Sequence, residues 1–347
     1  MLQAVTESQN ADTIDSGQLR LNSEQVLSLL PWNTCNARCA HCGPNSGPTD
    51  KTAIHHERCL ELIREAGRLY QGDWCLTLSG GEVFLFYDRL LEYVTCAREH
   101  NGYTTLISNC FWATSPQRAE ELLRPLIDQD LRVLGISLTQ FHQEYVDPKR
   151  VGIAIEAARK LKLRVRVRSV ASKTSRLWEL LRAVEGAHPW FVQFMEMPLV
   201  PHGRAEQLPE DDLFFADELP TGTCPAASLT INPSGKGMVC CNGGGDLEPL
   251  QVGDVDFHSL EQLEYLFASD PTLRYLVRRG PSACIDFLSP DEAEKVRDSR
   301  YVNECDLCIK LFRDEKRASL IKERINNEAM GEILPVLEEL DVPPSGT

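Results

Sequence analysis

Between residues 25 and 200 the sequence switches six times between a strand-like and a helix-like pattern, and this alternation constrains the fold more than any other feature. Strand-like runs occupy 25–30 (QVLSLL), 73–79 (DWCLTLS), 103–108 (YTTLIS), 131–137 (LRVLGIS), 163–170 (LRVRVRSV) and 190–197 (WFVQFMEM). The helix-like stretches between them carry start signals: Ser115 precedes Pro116 and Asp147 precedes Pro148, each an N-cap followed by a proline preset for the first turn. Strands that alternate with helices build a parallel sheet, which makes this an α/β chain. Six such units make an open or partial (β/α)6 barrel, with its chemistry at the carboxyl ends of the strands.

The pattern breaks at 198–223, a stretch of Pro, Gly and acidic residues that marks a second, smaller domain. Beyond it, 228–241 (SLTINPSGKGMVCC) reads as a hairpin, and 309–341 reads as a helix-prone, charge-laced tail. The expected division is a loosely ordered arm at 1–24, a barrel at 25–200, a small domain at 201–310, and a C-terminal helix and tail at 311–347. A length of 347 residues suits two domains. No apolar run reaches the ~18 residues a membrane span needs, and the first thirty residues lack a basic start followed by an apolar block. A cytoplasmic protein with no membrane partner is expected. The net charge of -15 repels nucleic acid and suits neutral or cationic substrates.

Thirteen cysteines in a chain without an export signal argue for metal or thiol chemistry rather than a disulfide framework. Cys59, Cys75 and Cys96 sit inside patterned segments and read as buried thiols. Cys35, Cys39 and Cys42 follow the first strand with spacing C-x3-C-x2-C, so one loop can wrap three thiolates around an inorganic centre. His41 is adjacent to Cys42, and neighbouring residues rarely share a metal, which weakens a zinc reading. Three ligands leave one iron of a [4Fe-4S] cluster open to a substrate or cofactor.

With this loop the chain resembles the radical SAM superfamily, in which C-x3-C-x2-C follows the first strand of a partial barrel and the open iron is chelated by S-adenosylmethionine. Ser79, Gly80, Gly81 and Glu82, starting 37 residues after Cys42, match the Gly-Gly-Glu segment that receives the cofactor's amino group. Two glycines admit close backbone approach, and a carboxylate beside them can pair with an ammonium. By the same resemblance Ser108, Asn109 and Ser137 occupy places that contact the cofactor, while Cys110 stands where glycine is usual. In the fifth strand Lys160, Lys162, Arg164, Arg166 and Arg168 take every second position, one face of a strand. The first three read as solvent-facing. Arg166, with Arg168 second, resembles the partner of the cofactor's carboxylate.

Cys224, Gly235 and Cys240, followed by Cys305 and Cys308, resemble the twitch form of the SPASM extension, which implies one auxiliary [4Fe-4S] cluster in the small iron-sulfur domain. Gly203, Arg204 and Ala205 resemble a junction found in that group. Cys241 and Cys284 are left over, each an additional ligand, a buried thiol or a hydrogen-atom donor to a substrate radical. His142, after the fourth strand, is a lesser candidate for the lumen.

The resemblance implies reductive cleavage of S-adenosylmethionine to a 5'-deoxyadenosyl radical that takes a hydrogen atom from a natural product. Oxidation, cross-linking and epimerisation all remain open, and so do a ribosomal peptide and a small polar sugar or aminocyclitol as substrate. Flavodoxin or ferredoxin is the implied electron donor. The competing class is a non-enzymatic iron-sulfur or zinc protein, an electron relay or structural module.

Overall fold

The computed structural model describes residues 25–184, 190–225, 227–240 and 243–340, the last eleven as backbone. Strands β1 (Val26–Leu29), β2 (Trp74–Leu78), β3 (Gly102–Ser108), β4 (Leu131–Ser137), β5 (Arg164–Ala171) and β6 (Val192–Pro198) pair side by side in sequence order, all parallel. Between them run α1 (His56–Leu69), α2 (Tyr87–Glu99), α3 (Pro116–Asp128), α4 (Gln140–Gln143), α5 (Pro148–Lys160) and α6 (Leu177–Leu181). All six expected strands are present within a residue or two of the expected limits. The two proline-flanked caps also form: Ser115 Oγ accepts from the Arg118 N–H, and the Asp147 carboxylate accepts from the Lys149 N–H.

The expected hairpin is β7 (Ala227–Ile231) and β8 (Lys236–Cys240), and a third strand, β9 (Gln251–Asp254), continues it. It does not stand apart. β7 lies parallel to β1, with Ser28 opposite Thr230, so one nine-stranded sheet runs β6-β5-β4-β3-β2-β1-β7-β8-β9. The proposed boundary between residues 200 and 201 therefore separates two groups of cysteines, while the sheet crosses it.

The remaining helices are α7 (Leu260–Ser269), α8 (Pro271–Arg279), α9 (Pro290–Arg297), α10 (Glu304–Arg313) and α11 (Glu315–Leu340). The tail becomes helical earlier than its charge pattern suggests. Asn303 caps α10 by accepting from the Cys305 and Asp306 N–H groups, and the helix stops at Asp314.

Alternation along the strands divides the interior into two layers. Leu27, Leu29, Leu76, Leu78, Leu106, Val165 and Val167 belong to the main core, with Leu62, Ile63, Leu90 and Ile155 of the helices. A separate cluster contains Cys35, Cys39, Phe141, Leu199 and Ala205, with Val170 of the opposite β5 face packed against it.

The five-cation alternation is shorter than the sequence implied. Lys160 ends α5 and pairs with Glu120 at 3.2 Å, and Lys162 turns the chain at φ +59°, so only Arg164, Arg166 and Arg168 share a strand face. A basic last helical turn, favoured by the helix dipole, had extended the apparent strand.

Candidate active site

Leaving β1, the cysteine loop is held along its first residues by the segment after β2. The Gly81 N–H donates to Trp32 O at 2.9 Å and the Glu82 N–H to Thr34 O at 3.0 Å, while the Trp32 indole returns a bond to Glu82 O at 3.1 Å. Neither glycine can be larger. A Cβ on Gly81 would lie 2.0 Å from Thr34 O, and one on Gly80, at φ +118°, would lie 2.7 Å from Trp32 O. Asn33 holds the next part of the loop, its amide donating to Asp50 Oδ2 at 2.6 Å and to Pro44 O at 3.1 Å.

The Glu82 carboxylate is hydrogen-bonded within the protein. It is buried and accepts from the Phe84 N–H at 3.1 Å, Ser108 Oγ at 2.8 Å and the Asn109 N–H at 2.8 Å. These bonds tie the end of β2 to the end of β3. Burial nevertheless outweighs these donors and raises its pKa to about 7. The Ser108 hydroxyl also accepts from Trp112 Nε1 at 2.8 Å and the Cys110 N–H at 3.0 Å. Asn109 donates to Asn36 Oδ1 at 2.9 Å and has its amide 3.9 Å from Cys35 Sγ, against the cysteine loop. Cys110 adopts φ +64°, the left-handed backbone that explains why glycine is expected there.

The three loop thiols converge. Burial, then the backbone N–H of Ala37 acting in opposition, then the charges of Glu82 and Cys42 set the Cys35 thiol at about 11. Burial, followed by Cys35 and Cys42, raises Cys39 to about 12. Buried thiols that repel one another's ionisation become thiolates when a cation binds, so this donor set fits a metal centre. A clamp comes from the junction segment: Arg204 Nε donates to Cys39 O at 2.9 Å, Nη2 to Ser46 O at 2.7 Å, and its backbone N–H to Cys42 O at 3.1 Å. Gly203 is at φ +57°, where a Cβ would meet Gly43 O at 2.1 Å. Sequence flagged this Gly-Arg-Ala segment but not its function as a clamp.

At the strand ends, Ser137 is half-buried and in register with Arg168 of β5, itself half-buried. Arg166 lies opposite Gln193 of β6 and donates to its Oε1 at 2.9 Å. Two histidines missed as a pair meet at the loop. The His41 ring stacks on Phe141 at 4.9 Å and meets the His142 ring edge-on, also at 4.9 Å. Burial lowers His41 to about 3, with His142 adding to the effect, and lowers His142 to about 4. Only their spatial approach reveals the pair, because 100 residues separate them in sequence.

The second cysteine group also assembles. Cys224, Cys240, Cys305 and Cys308 line one pocket with Pro225, Gly244, Leu276, Pro281 and Glu304. Cys305 and Cys308 are three residues apart at the start of α10, on one helix face. Burial, then Cys240, Cys224, Cys284 and Cys305 in turn, push the Cys308 thiol well up. Four converging thiols in a largely apolar wall fit a fully ligated cluster. Cys284 is fully buried in the turn Pro281–Phe287 and belongs to the main core, not to the cluster that holds Cys35 and Cys39. Cys241 lies outside the described residues. Cys59, Cys75 and Cys96 are buried, as expected.

Residues 29–177 match the model of the Radical SAM superfamily. Over 304 residues the chain is 25% identical to the Bacillus subtilis (strain 168) protein YydG, whose name assigns it to peptide biosynthesis; the match covers 84% of this chain and 93% of that relative. Among solved structures it resembles native anSMEcpe with bound AdoMet, at TM-score 0.52, 16% identity, and coverage of 87% of this chain and 99% of that one. Native anSMEcpe with bound AdoMet and the Cp18Cys peptide matches at TM-score 0.50 and 15% identity with the same coverage. These structural likenesses establish the shared fold. Among the described residues no helix is long and apolar enough to cross a membrane.

Proposed function

We propose that the chain is a radical SAM enzyme that removes a hydrogen atom from a peptide substrate. The observation that carries this reading is the convergence of three cysteines of one loop: Cys35 and Cys39 share a buried cluster, Cys42 packs against it, and the Cys42 N–H donates to Cys39 O at 3.1 Å. In this reading these three thiolates hold a [4Fe-4S] cluster with one open iron for S-adenosylmethionine. When bound, cluster and cofactor supply reductive formation of a 5'-deoxyadenosyl radical.

The chain's own residues supply the rest. Arg204 and Asn33 keep the loop in shape. Gly80 and Gly81 keep the segment beside the loop free of side chains, and Glu82 with Ser108 fixes the ends of β2 and β3 against it. Ser79, Asn109, Ser137, Arg166 and Arg168 are proposed as further cofactor contacts, the arginines for a carboxylate. The wall around Cys224, Cys240, Cys305 and Cys308 would keep water from an auxiliary cluster held by these four thiolates, and such a cluster would supply one-electron oxidation if the net reaction is an oxidation. If it is an epimerisation, Cys241 or Cys284 is the proposed hydrogen donor. Flavodoxin or ferredoxin is the proposed reductant. A peptide is favoured over an aminocyclitol by the YydG relative and by the peptide held in one of the anSMEcpe structures.

Anaerobic reconstitution followed by dithionite is the test. About eight irons per chain are expected, as for two four-iron clusters, together with 5'-deoxyadenosine detected by chromatography. Replacing Cys35, Cys39 and Cys42 by Ala should abolish 5'-deoxyadenosine and leave about four irons. Persistent cleavage in that variant, or zinc as the sole bound metal in the native protein, overturns the reading.

A further inference from the structure

His41 and His142 contribute to a second donor set that shares one atom with the cysteine loop. One ligand atom each from Cys39, His41 and His142 lies within 4.8 Å of the other two. Tetrahedral zinc bonded at about 2.3 Å to sulfur and about 2.0 Å to nitrogen spaces its ligands by roughly 3.5 Å. Small side-chain movements close that gap.

Two further observations point to a cation. Among the described residues His41 Nδ1 is buried with no hydrogen-bond partner. His142 Nδ1 sits 2.8 Å from Thr139 Oγ1, the N-cap residue of α4, which fixes the ring and leaves Nε2 for a metal. A ring nitrogen held by an outer partner is the usual arrangement of a metal-binding histidine.

We propose that in the cluster-free chain Cys39, His41 and His142 bind zinc, and that zinc thereby competes with iron for Cys39. Binding exchanges the Cys39 thiol proton for the metal, with no change of oxidation state. One thiolate and two imidazoles suit zinc better than ferrous iron in the ordinary order of divalent affinities. The occupied site withholds one of the three cysteines that the open cluster requires. This rests on the cluster assignment above only for its consequence, not for the zinc site itself.

Cobalt(II) provides the test, on full-length protein purified without iron under anaerobic conditions. Native protein should bind one cobalt at the four-cysteine pocket and a second in a tetrahedral site with a single thiolate. His142→Ala should weaken the second site at least tenfold, and zinc competition should show the same loss. Cys35→Ala with Cys42→Ala should keep that site, which also guards against His142→Ala simply misfolding. Equal cobalt binding by native and H142A protein, or loss of the second site in the Cys35 and Cys42 double variant, overturns the proposal. If 5'-deoxyadenosine never forms but the cobalt result holds, the enzyme reading has failed and the zinc site stands.

Discussion

Removing Arg204 should loosen the cysteine loop in a graded way that separates its hydrogen bonds from its charge. The guanidinium makes two bonds to loop carbonyls, at 2.9 Å to Cys39 and 2.7 Å to Ser46. Charged donors contribute about 1.5–3 kcal/mol each, and water at the half-exposed side chain restores part of that loss. A net cost of about 3 kcal/mol in Arg204→Ala corresponds to roughly a 150-fold weaker hold on metal. The charge acts in the same direction, since it opposes the upward push on the Cys35 and Cys39 thiols. Arg204→Lys keeps the charge but loses the fork, and Arg204→Gln keeps one bond but loses the charge, so both should fall between native and alanine. The assay is iron released to a competing chelator from anaerobically reconstituted protein. Arg204→Ala should drop to about four irons per chain under conditions where native protein keeps about eight. An alanine variant that resists the chelator as well as native protein would show that the loop is held by other contacts.

Two other outcomes follow from the backbone and the buried carboxylate. The left-handed conformation of Cys110 costs about 1–2 kcal/mol for a non-glycine residue and offsets its buried packing. Cys110→Gly should therefore change stability by less than about 1 kcal/mol, while branched Cys110→Val should lose more than ~2 kcal/mol, measured by urea unfolding of cluster-free protein. For Glu82, a folded pKa raised from 4.5 to about 7 means that folded protein binds a proton the unfolded chain releases. That stabilisation is complete below the unfolded pKa and is lost as pH rises through 7. Between pH 5 and pH 8, native protein should lose about 2.5 kcal/mol relative to Glu82→Gln, and parallel stability profiles would contradict the assignment.

The parts of the molecule that were legible in sequence are those set by local rules. Strand alternation, the caps at Ser115 and Asp147, and the glycines beside the cysteine loop each depend on a few neighbouring residues. At Cys110 only the departure from glycine was legible, and the left-handed φ of +64° came from the structure. What was missed depends on long-range pairing: β7 finds β1 across some 200 residues, with Ser28 opposite Thr230. Arg204 reaches the loop from 165 residues away, and Glu82 turns inward because Ser108 and Asn109 offer it donors. The overlong basic strand failed for a local reason, since period two and a basic helix end look alike over a few residues.

The seam between β1 and β7 has a mechanical consequence. Because these strands are hydrogen-bonded neighbours, a chain cut at residue 200 would leave β1 as a bare rim, open to any stray strand. Shortening the protein to its first sulfur centre should therefore yield a sticky, self-associating fragment. Both cysteine groups are thus tied to one sheet, the first following β1 and the second reaching it through Cys240 of β8.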